Sequence, residues 1–268
     1  MKISISALSI AYGLSSEALR YYEEKGLLTP ERTSSSGFRK FSMEDVQRVG
    51  IIKSLQRQGF SLDEIKHIMS ACSLSELISL MDEKRAQLAE QITLSLSIRS
   101  RLNQTTDLLR DSQSLNMKPR LCPGCAAYLI DFDSVEELWR DVPKNDLLKP
   151  LIDALPLTSY CTTIPLSHLE GQNTPLRKGI CAPAEYAAVI NADFSRMRMS
   201  AGPRSVRVLF ELVLPNQRTL EPVIDCARSF IREQKLTPIA DGYTRQYIWF
   251  TDENSNKRQY SELIIPVM

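Results

Sequence analysis

Residues 74–109 contain neither glycine nor proline, and the absence of both helix breakers over so long a stretch predicts one continuous α-helix. Alternate steps of four and three residues pick out Leu74, Ile78, Met81, Arg85, Leu88, Ile92, Ser95, Arg99, Leu102, Thr106 and Leu109. They form an imperfect heptad seam, apolar towards both ends and polar at Arg85, Ser95 and Arg99. A stripe of this length has no partner within its own segment. The expected partner is a second copy, met through Leu74, Ile78, Met81, Leu88, Ile92, Leu102 and Leu109; the alternative is packing on the chain's own C-terminal part. Asp111-Ser112-Gln113-Ser114 and Pro119 read as a linker, which divides the chain into residues 1–70, 71–115 and 116–268.

Ahead of that helix, Ile5, Leu8 and Tyr12 recur at near-helical spacing until Gly13. Ser15 and Ser16 offer an N-cap before Glu17, Leu19 marks an apolar face, and Gly26 after Lys25 is a stop. Helix, tight turn and second helix at this size leave the start of the second helix free to enter a DNA major groove. With Ser16 at that start, Arg20 supplies a guanidinium for phosphate or guanine, and Tyr21 and Tyr22 supply phenols that reach phosphates while their rings pack. The chain then passes Pro30, Thr33-Ser34-Ser35-Ser36 and Gly37 to Phe38-Arg39-Lys40-Phe41. There aromatics alternate with basic residues, as in a short β-wing anchored in a core and touching a phosphate backbone. Ser42-Met43-Glu44-Asp45 starts a third helix with Val46, Val49, Ile52 and Leu55 on one face, and Ser61-Leu62-Asp63-Glu64 caps a fourth carrying Ile65, Ile68 and Met69.

The order Ser-Ser-Glu-Ala-Leu-Arg-Tyr-Tyr-Glu-Glu-Lys-Gly-Leu-Leu, then Gly37-Phe38-Arg39-Lys40-Phe41, then Gln58-Gly59-Phe60-Ser61-Leu62-Asp63-Glu64-Ile65, resembles the MerR family of transcription regulators. The resemblance runs from the N-terminus to about Met69. It implies an all-α winged helix-turn-helix, a second wing between the third and fourth helices, and Arg57 and Lys66 as further phosphate contacts. It also implies that the long helix forms an antiparallel coiled coil in a homodimer on a palindromic operator. The implied action is distortion of an over-long spacer in double-stranded promoter DNA so that RNA polymerase engages both elements.

The net charge is only +1 over 268 residues, so DNA affinity must come from a local arrangement of Arg and Lys and should fall with salt. No signal peptide and no apolar run approaching the roughly 20 residues of a membrane span is read, and the expected location is the cytoplasm without membrane partners. In that compartment the six cysteines would stay reduced. Cys122-Pro-Gly-Cys125 has ligand or redox spacing but is half of a tetrahedral zinc site at best, and reads as structural or incidental. Metal sensors of the resembled family place thiolates near both ends of the dimerisation helix, and Cys72 precedes it here. A metal or thiol-redox sensor using Cys72, Cys122 and Cys125 is therefore the alternative function, although no metal ligand and no cofactor is assigned. His67 and His168 are the only histidines and no nucleophile spacing is visible, so no catalytic residue is expected; a carboxylate-based hydrolase stays open.

Beyond Pro119 the pattern is mixed, with strands expected over residues 126–132, 160–167, 186–190, 205–214, 246–251 and 262–267 and helices over 135–155 and 220–234. A pseudo-repeated α+β unit, a curved sheet carrying helices, is the expected fold. Its second half, with Val206 to Leu214, Lys235-Leu236, Tyr247 before Thr251-Asp252, and Glu262-Leu263-Ile264-Ile265-Pro266-Val267, resembles the GyrI-like effector-binding module. The pair of resemblances implies the BmrR-type multidrug-sensing branch, an activator responsive to small hydrophobic, often cationic molecules. Ring faces accept many shapes and attract cations. Tyr160, Tyr186, Tyr247, Trp249 and Tyr260, with Tyr128 and Trp139, are the candidate effector contacts, in a pocket built mainly of aromatics. Where the module often carries a Glu two residues before the strand tyrosine, this chain has Arg245-Gln246-Tyr247; Glu262 is a candidate substitute, along with Glu185 and Glu211.

Overall fold

The computed structural model describes residues 2–32, 38–132, 140, 145–214 and 220–268. The chain divides into two compact units, Met1–Gln91 and Ile92–Met268.

Each short helix of the first unit starts where a side chain accepts one of the backbone N–H groups that a helix leaves unpaired. Ser4 accepts from Ala7 for α1 (Ile5–Tyr12), and Ser15 from Ala18 for α2 (Ser16–Glu24). Capping boxes Ser42/Asp45 and Ser61/Glu64 start α3 (Met43–Arg57) and α4 (Leu62–Ser70). Gly13, at φ 62°, closes α1 in the left-handed conformation that favours glycine. Strands β1 (Ile3–Ser4), β2 (Glu31–Arg32) and β3 (Arg39–Phe41) form a three-stranded antiparallel sheet in the order β1-β3-β2. The unit is therefore not all-α: a small sheet carries the wing's base. Leu8, Leu19, Leu27, Phe41, Val49, Ile52 and Ile65 share one dry core. The polar residues 33–37 lie outside the described residues.

Helix α5 runs unbroken over Leu74–Leu115, six residues beyond Leu109. Asp111-Ser112-Gln113-Ser114 is thus helix rather than linker, and the turn comes at Met117, which takes φ 56°. Leu80 and Met81 pack on the first unit's core, and Ile98 packs within the second unit.

The second unit is a closed six-stranded barrel, in the order β4-β6-β5-β8-β9-β7: β4 (Pro119–Phe132), β5 (Ser159–Ile164), β6 (Arg177–Pro183), β7 (Arg198–Leu214), β8 (Gly242–Thr251) and β9 (Lys257–Val267). All its pairings are antiparallel. The expected curved, pseudo-repeated sheet closes on itself here, which leaves no free edge. Gly179 is required where β6 crosses β4, since a Cβ there would lie 2.2 Å from the Ile130 carbonyl oxygen. Among the described residues, the helices α6 (Leu148–Asp153), α7 (Leu166–Leu169) and α8 (Glu221–Glu233) accompany the barrel. The helix expected over 135–155 is not continuous: among the described residues Arg140 and α6 are helical, whereas residues 146–147 form a turn ahead of α6.

Two further expectations change. Tyr186 sits in a 3-10 turn over Ala184–Val189 instead of a strand, and β6 was not foreseen. Around the barrel, Val206, Val208 and Phe210 of β7 and Leu263, Ile265 and Val267 of β9 pack on Val223, Ile224, Ala227 and Ile231 of α8. Because a helix can cover only the outside of a closed barrel, the opposite faces of those strands point into the interior. Ala127, Leu129, Cys161, Cys181, Tyr243 and Ile264 form that inner core.

Candidate functional site

In the first unit, Arg20, Arg57 and Lys66 are exposed, Lys40 is half-buried, and Phe38 is 70% exposed. Tyr21 is 44% exposed, with the Lys25 ammonium 5.5 Å from its ring centroid. Ser16 lies with its hydroxyl 3.4 Å from that of Ser9. Two candidate DNA contacts are otherwise engaged. Tyr22 is 4% exposed and its hydroxyl donates to Gln56 Oε1 at 2.8 Å, so it is a core residue with a satisfied polar tip, and burial raises its pKa. Arg39 is ion-paired with Glu23, which also meets Arg32 at 3.6 Å. Hence Arg39 must share its charge between Glu23 and any phosphate.

On α5, the seam residues Leu74, Ile78, Leu88, Ile92 and Leu102 are 40–74% exposed, Met81 belongs to the first unit's own packing, and Leu109 is half-buried. Near the start of that helix, ligand atoms of His67, Cys72 and Glu76 lie within 4.8 Å of one another, the one such group of metal-capable residues among the described residues. Cys122 and Cys125 stand on β4 and do not belong to it.

The barrel holds a cavity of about 580 Å³. Its wall includes Cys125, Tyr243, Arg245, Tyr247, Glu262 and Ile264 from the strands, Glu185 from the 3-10 turn, and Gln104 and Asp107 from α5. Position parity explains the set: 243, 245 and 247 alternate on β8, while 262 and 264 alternate on β9 with the residues that face α8. The Glu262 side chain is 3% exposed and accepts from Arg120 Nη2 and from the Tyr247 hydroxyl, each at 3.1 Å, with Arg207 Nη1 3.9 Å away. Burial and then the Glu262 carboxylate push the Tyr247 phenol up to about 12.

Two guanidiniums crowd the same ring. Arg101 lies 4.3 Å and Arg245 5.5 Å from the Tyr247 centroid, and Arg245 is also 5.9 Å from Tyr186. Burial, and then the charge of Arg245, lowers the pKa of Arg101. A hydrogen bond from Cys161, helped by Ser159 and by the nearby Arg245 and Arg101, draws the Cys181 thiol down to about 7.

Of the effector contacts read from sequence, Tyr247 and Glu262 line the cavity. Tyr128 packs on Phe194 at 4.5 Å, Tyr160 and Tyr186 belong to the cluster around α6, Trp249 is 58% exposed, and Tyr260 stacks on Phe250 at 6.3 Å. Trp139 lies outside the described residues. The mainly aromatic pocket is therefore corrected to a charged one. Arg207, Tyr243 and Arg245 were not foreseen on its wall; the alternation of 243, 245 and 247 about Tyr247 was the available signal.

A winged helix-turn-helix followed by a long helix defines a DNA-binding transcription regulator. Residues 3–72 match the family described as MerR HTH family regulatory protein, and residues 46–105 match MerR, DNA binding. Over 96 residues the chain is 38% identical to the uncharacterized HTH-type transcriptional regulator YyaN of Bacillus subtilis, covering 35% of this chain and 68% of that protein. It is 30% identical over 156 residues to the nodulation protein NolA of a Bradyrhizobium strain, covering 53% of this chain and 63%, less than two thirds, of that protein. The EcmrR–DNA complex seen by cryo-electron microscopy aligns over 99% of both chains at 16% identity and a TM-score of 0.38, too loose a superposition to carry an argument. The chain belongs to the MerR family of transcription regulators.

Proposed function

We propose that this regulator is a ligand-responsive activator that binds promoter DNA as a homodimer and senses a small, largely hydrophobic organic molecule in its barrel. The observation that carries the reading is the cavity of about 580 Å³, a volume suited to such a ligand, where convergent charged and polar groups meet a smaller apolar surface from Ala126, Pro183, Ala184, Tyr243 and Ile264. The exposed Leu74, Ile78, Leu88, Ile92 and Leu102 of α5 support dimerisation, since a second copy would remove that stripe from water. Arg20, Tyr21, Lys40, Arg57 and Lys66 are the proposed DNA contacts, and altered promoter geometry is the proposed route to RNA polymerase. A multidrug sensor of cations, as the sequence resemblance implies, would draw on the acids of the wall, Glu262, Glu185 and Asp107, of which Glu262 already meets Arg120, Arg207 and Tyr247.

The test is the melting temperature of the full chain against neutral, cationic and anionic aromatic compounds, because a ligand of the folded state raises it. Stabilisation by several is expected; stabilisation by none overturns the effector reading. A second reading, regulation by a metal ion, rests on His67, Cys72 and Glu76, whose ligand atoms lie within 4.8 Å of one another. Zinc stabilising the native chain but not Cys72→Ser, with no response to organic compounds, would favour it.

A further inference from the structure

One buried guanidinium on the cavity wall is poorly paired. Glu262 is met by Arg120, Arg207 and the Tyr247 hydroxyl, so its carboxylate is already satisfied. Arg245, which lines the cavity, and Arg101, which stands off the wall, remain, 7% and 4% exposed, both against the ring of Tyr247. Arg101 donates through Nη2 to the Gln246 carbonyl at 2.9 Å, while its buried Nη1 has no hydrogen-bond partner among the described residues. Arg245 Nη2 is likewise buried and unpartnered, with Glu185 Oε1, on a half-exposed side chain, 3.7 Å away. The remaining acid on the wall, Asp107, is 70% exposed and paired with Arg110.

Two like charges held out of water beside one ring repel each other, and a buried donor without an acceptor keeps its full desolvation cost. An anion admitted to the cavity would offset the repulsion and offer Arg245 an acceptor. A cation would meet the field of Arg101 and Arg245, and each acid of the wall, Glu262, Glu185 and Asp107, already faces an arginine. A guanidinium with free N–H groups matches a carboxylate best, because the two planar groups can join through parallel hydrogen bonds. The apolar remainder of the wall, Ala126, Pro183, Ala184, Tyr243 and Ile264, suits a hydrocarbon or aromatic body.

We propose that the cavity binds a small organic carboxylate, held through Arg245, with Arg101 contributing charge across Tyr247. This rests on the reading of the cavity as the effector site, and it fixes the sign of the effector's charge.

The test uses the full-length protein and three near-isosteric probes, benzoate, benzamide and benzamidinium, with inorganic phosphate alongside, by isothermal titration calorimetry. Benzoate is expected to bind at least about tenfold more tightly than benzamide, the worth of a charge-assisted hydrogen bond. Benzamidinium is expected to bind weakest. In Arg245→Gln the advantage of benzoate over benzamide should vanish, while Arg245→Lys should keep part of it. The wild-type series decides the sign of charge even if a variant fails to fold. Benzamide or benzamidinium binding more tightly than benzoate overturns the carboxylate inference but leaves the cavity an effector site. Phosphate binding more tightly than benzoate replaces the organic ligand with an inorganic anion and overturns it too. If none of the four binds, this inference fails and the effector reading loses its support.

Discussion

Among the described residues of the first unit the buried charged side chain is Asp45, whereas the barrel unit buries Arg101 of α5 together with Arg245 and Glu262 of the strands. Asp45 is fully engaged: its carboxylate accepts from the backbone N–H groups of Thr29 and Ser42 and from the Ser42 hydroxyl, at 2.9–3.1 Å. The barrel arginines leave buried N–H groups unpaired. A buried charge with both oxygens hydrogen-bonded is architecture, because it fixes chain segments to one another. A buried charge with donors to spare lowers stability and waits for an acceptor. The contrast separates a unit whose stability comes from its apolar core from one whose interior is arranged for a ligand.

The largest expected effect lies in the apolar core. Phe41 is fully buried among Leu8, Leu19 and Ile52, and Phe41→Ala should cost about 3–5 kcal/mol through lost transfer energy and the cavity left behind. Arg245→Met, which removes an ill-paired buried charge, should be near neutral or stabilising. Denaturant unfolding of the two variants measures both. If Arg245→Met costs as much as Phe41→Ala, the arginine is structural and the contrast between the units collapses.

That contrast also explains what the sequence made legible. In the first unit each level agrees: Ser42 with Asp45 and Ser61 with Glu64 announce helix starts, and Val49, Ile52 and Leu55 mark the face that is buried. Tyr22 was misplaced because a phenol suits a phosphate and a core equally, and its partner Gln56 lies 34 residues away. In the barrel, alternation alone did not say which face was inward. Leu263, Ile265 and Val267 of β9 face α8 on the outside, which turns Glu262 and Ile264 into the interior. A strand covered on both faces inverts the ordinary inference that its polar residues meet water. Nor did aromatic character mark the site: Trp249 is 58% exposed while Tyr243 is 2% exposed.

A smaller effect is expected at Glu262. Glu262→Gln leaves Arg120 and Arg207 without their carboxylate; both are partly exposed, at 36% and 26%, so solvent screens them and the loss should be about 2–3 kcal/mol instead of the larger cost of a wholly buried pair. The phenol of Tyr247 provides a second readout. Its pKa is raised from 10.0 to about 12 by burial and by Glu262, so folding holds it neutral. The stability linked to it is complete below pH 10 and is lost as the pH rises towards 12. Without the Glu262 charge, phenol ionisation and the accompanying loss of stability should both begin at lower pH. An unchanged ultraviolet titration would mean that burial alone holds the proton, and the cluster would not be an electrostatic unit.

A smaller cost than at Glu262 is expected at Asp45, although it is as deeply buried, at 3% against 2%. Its partners are two backbone N–H groups and a hydroxyl, not cations. Asp45→Ala therefore leaves no charge stranded, and the cost should be that of a lost cap, about 1–2 kcal/mol. Asp45→Asn should recover part of it, because an amide oxygen still accepts one N–H, whereas Glu262→Gln should recover little relative to Glu262→Ala, because its arginines need a charge. Unfolding free energies of the four variants give this comparison directly. If the amide rescues both sites equally, hydrogen bonding rather than charge governs the barrel interior, and the electrostatic distinction between the two units fails.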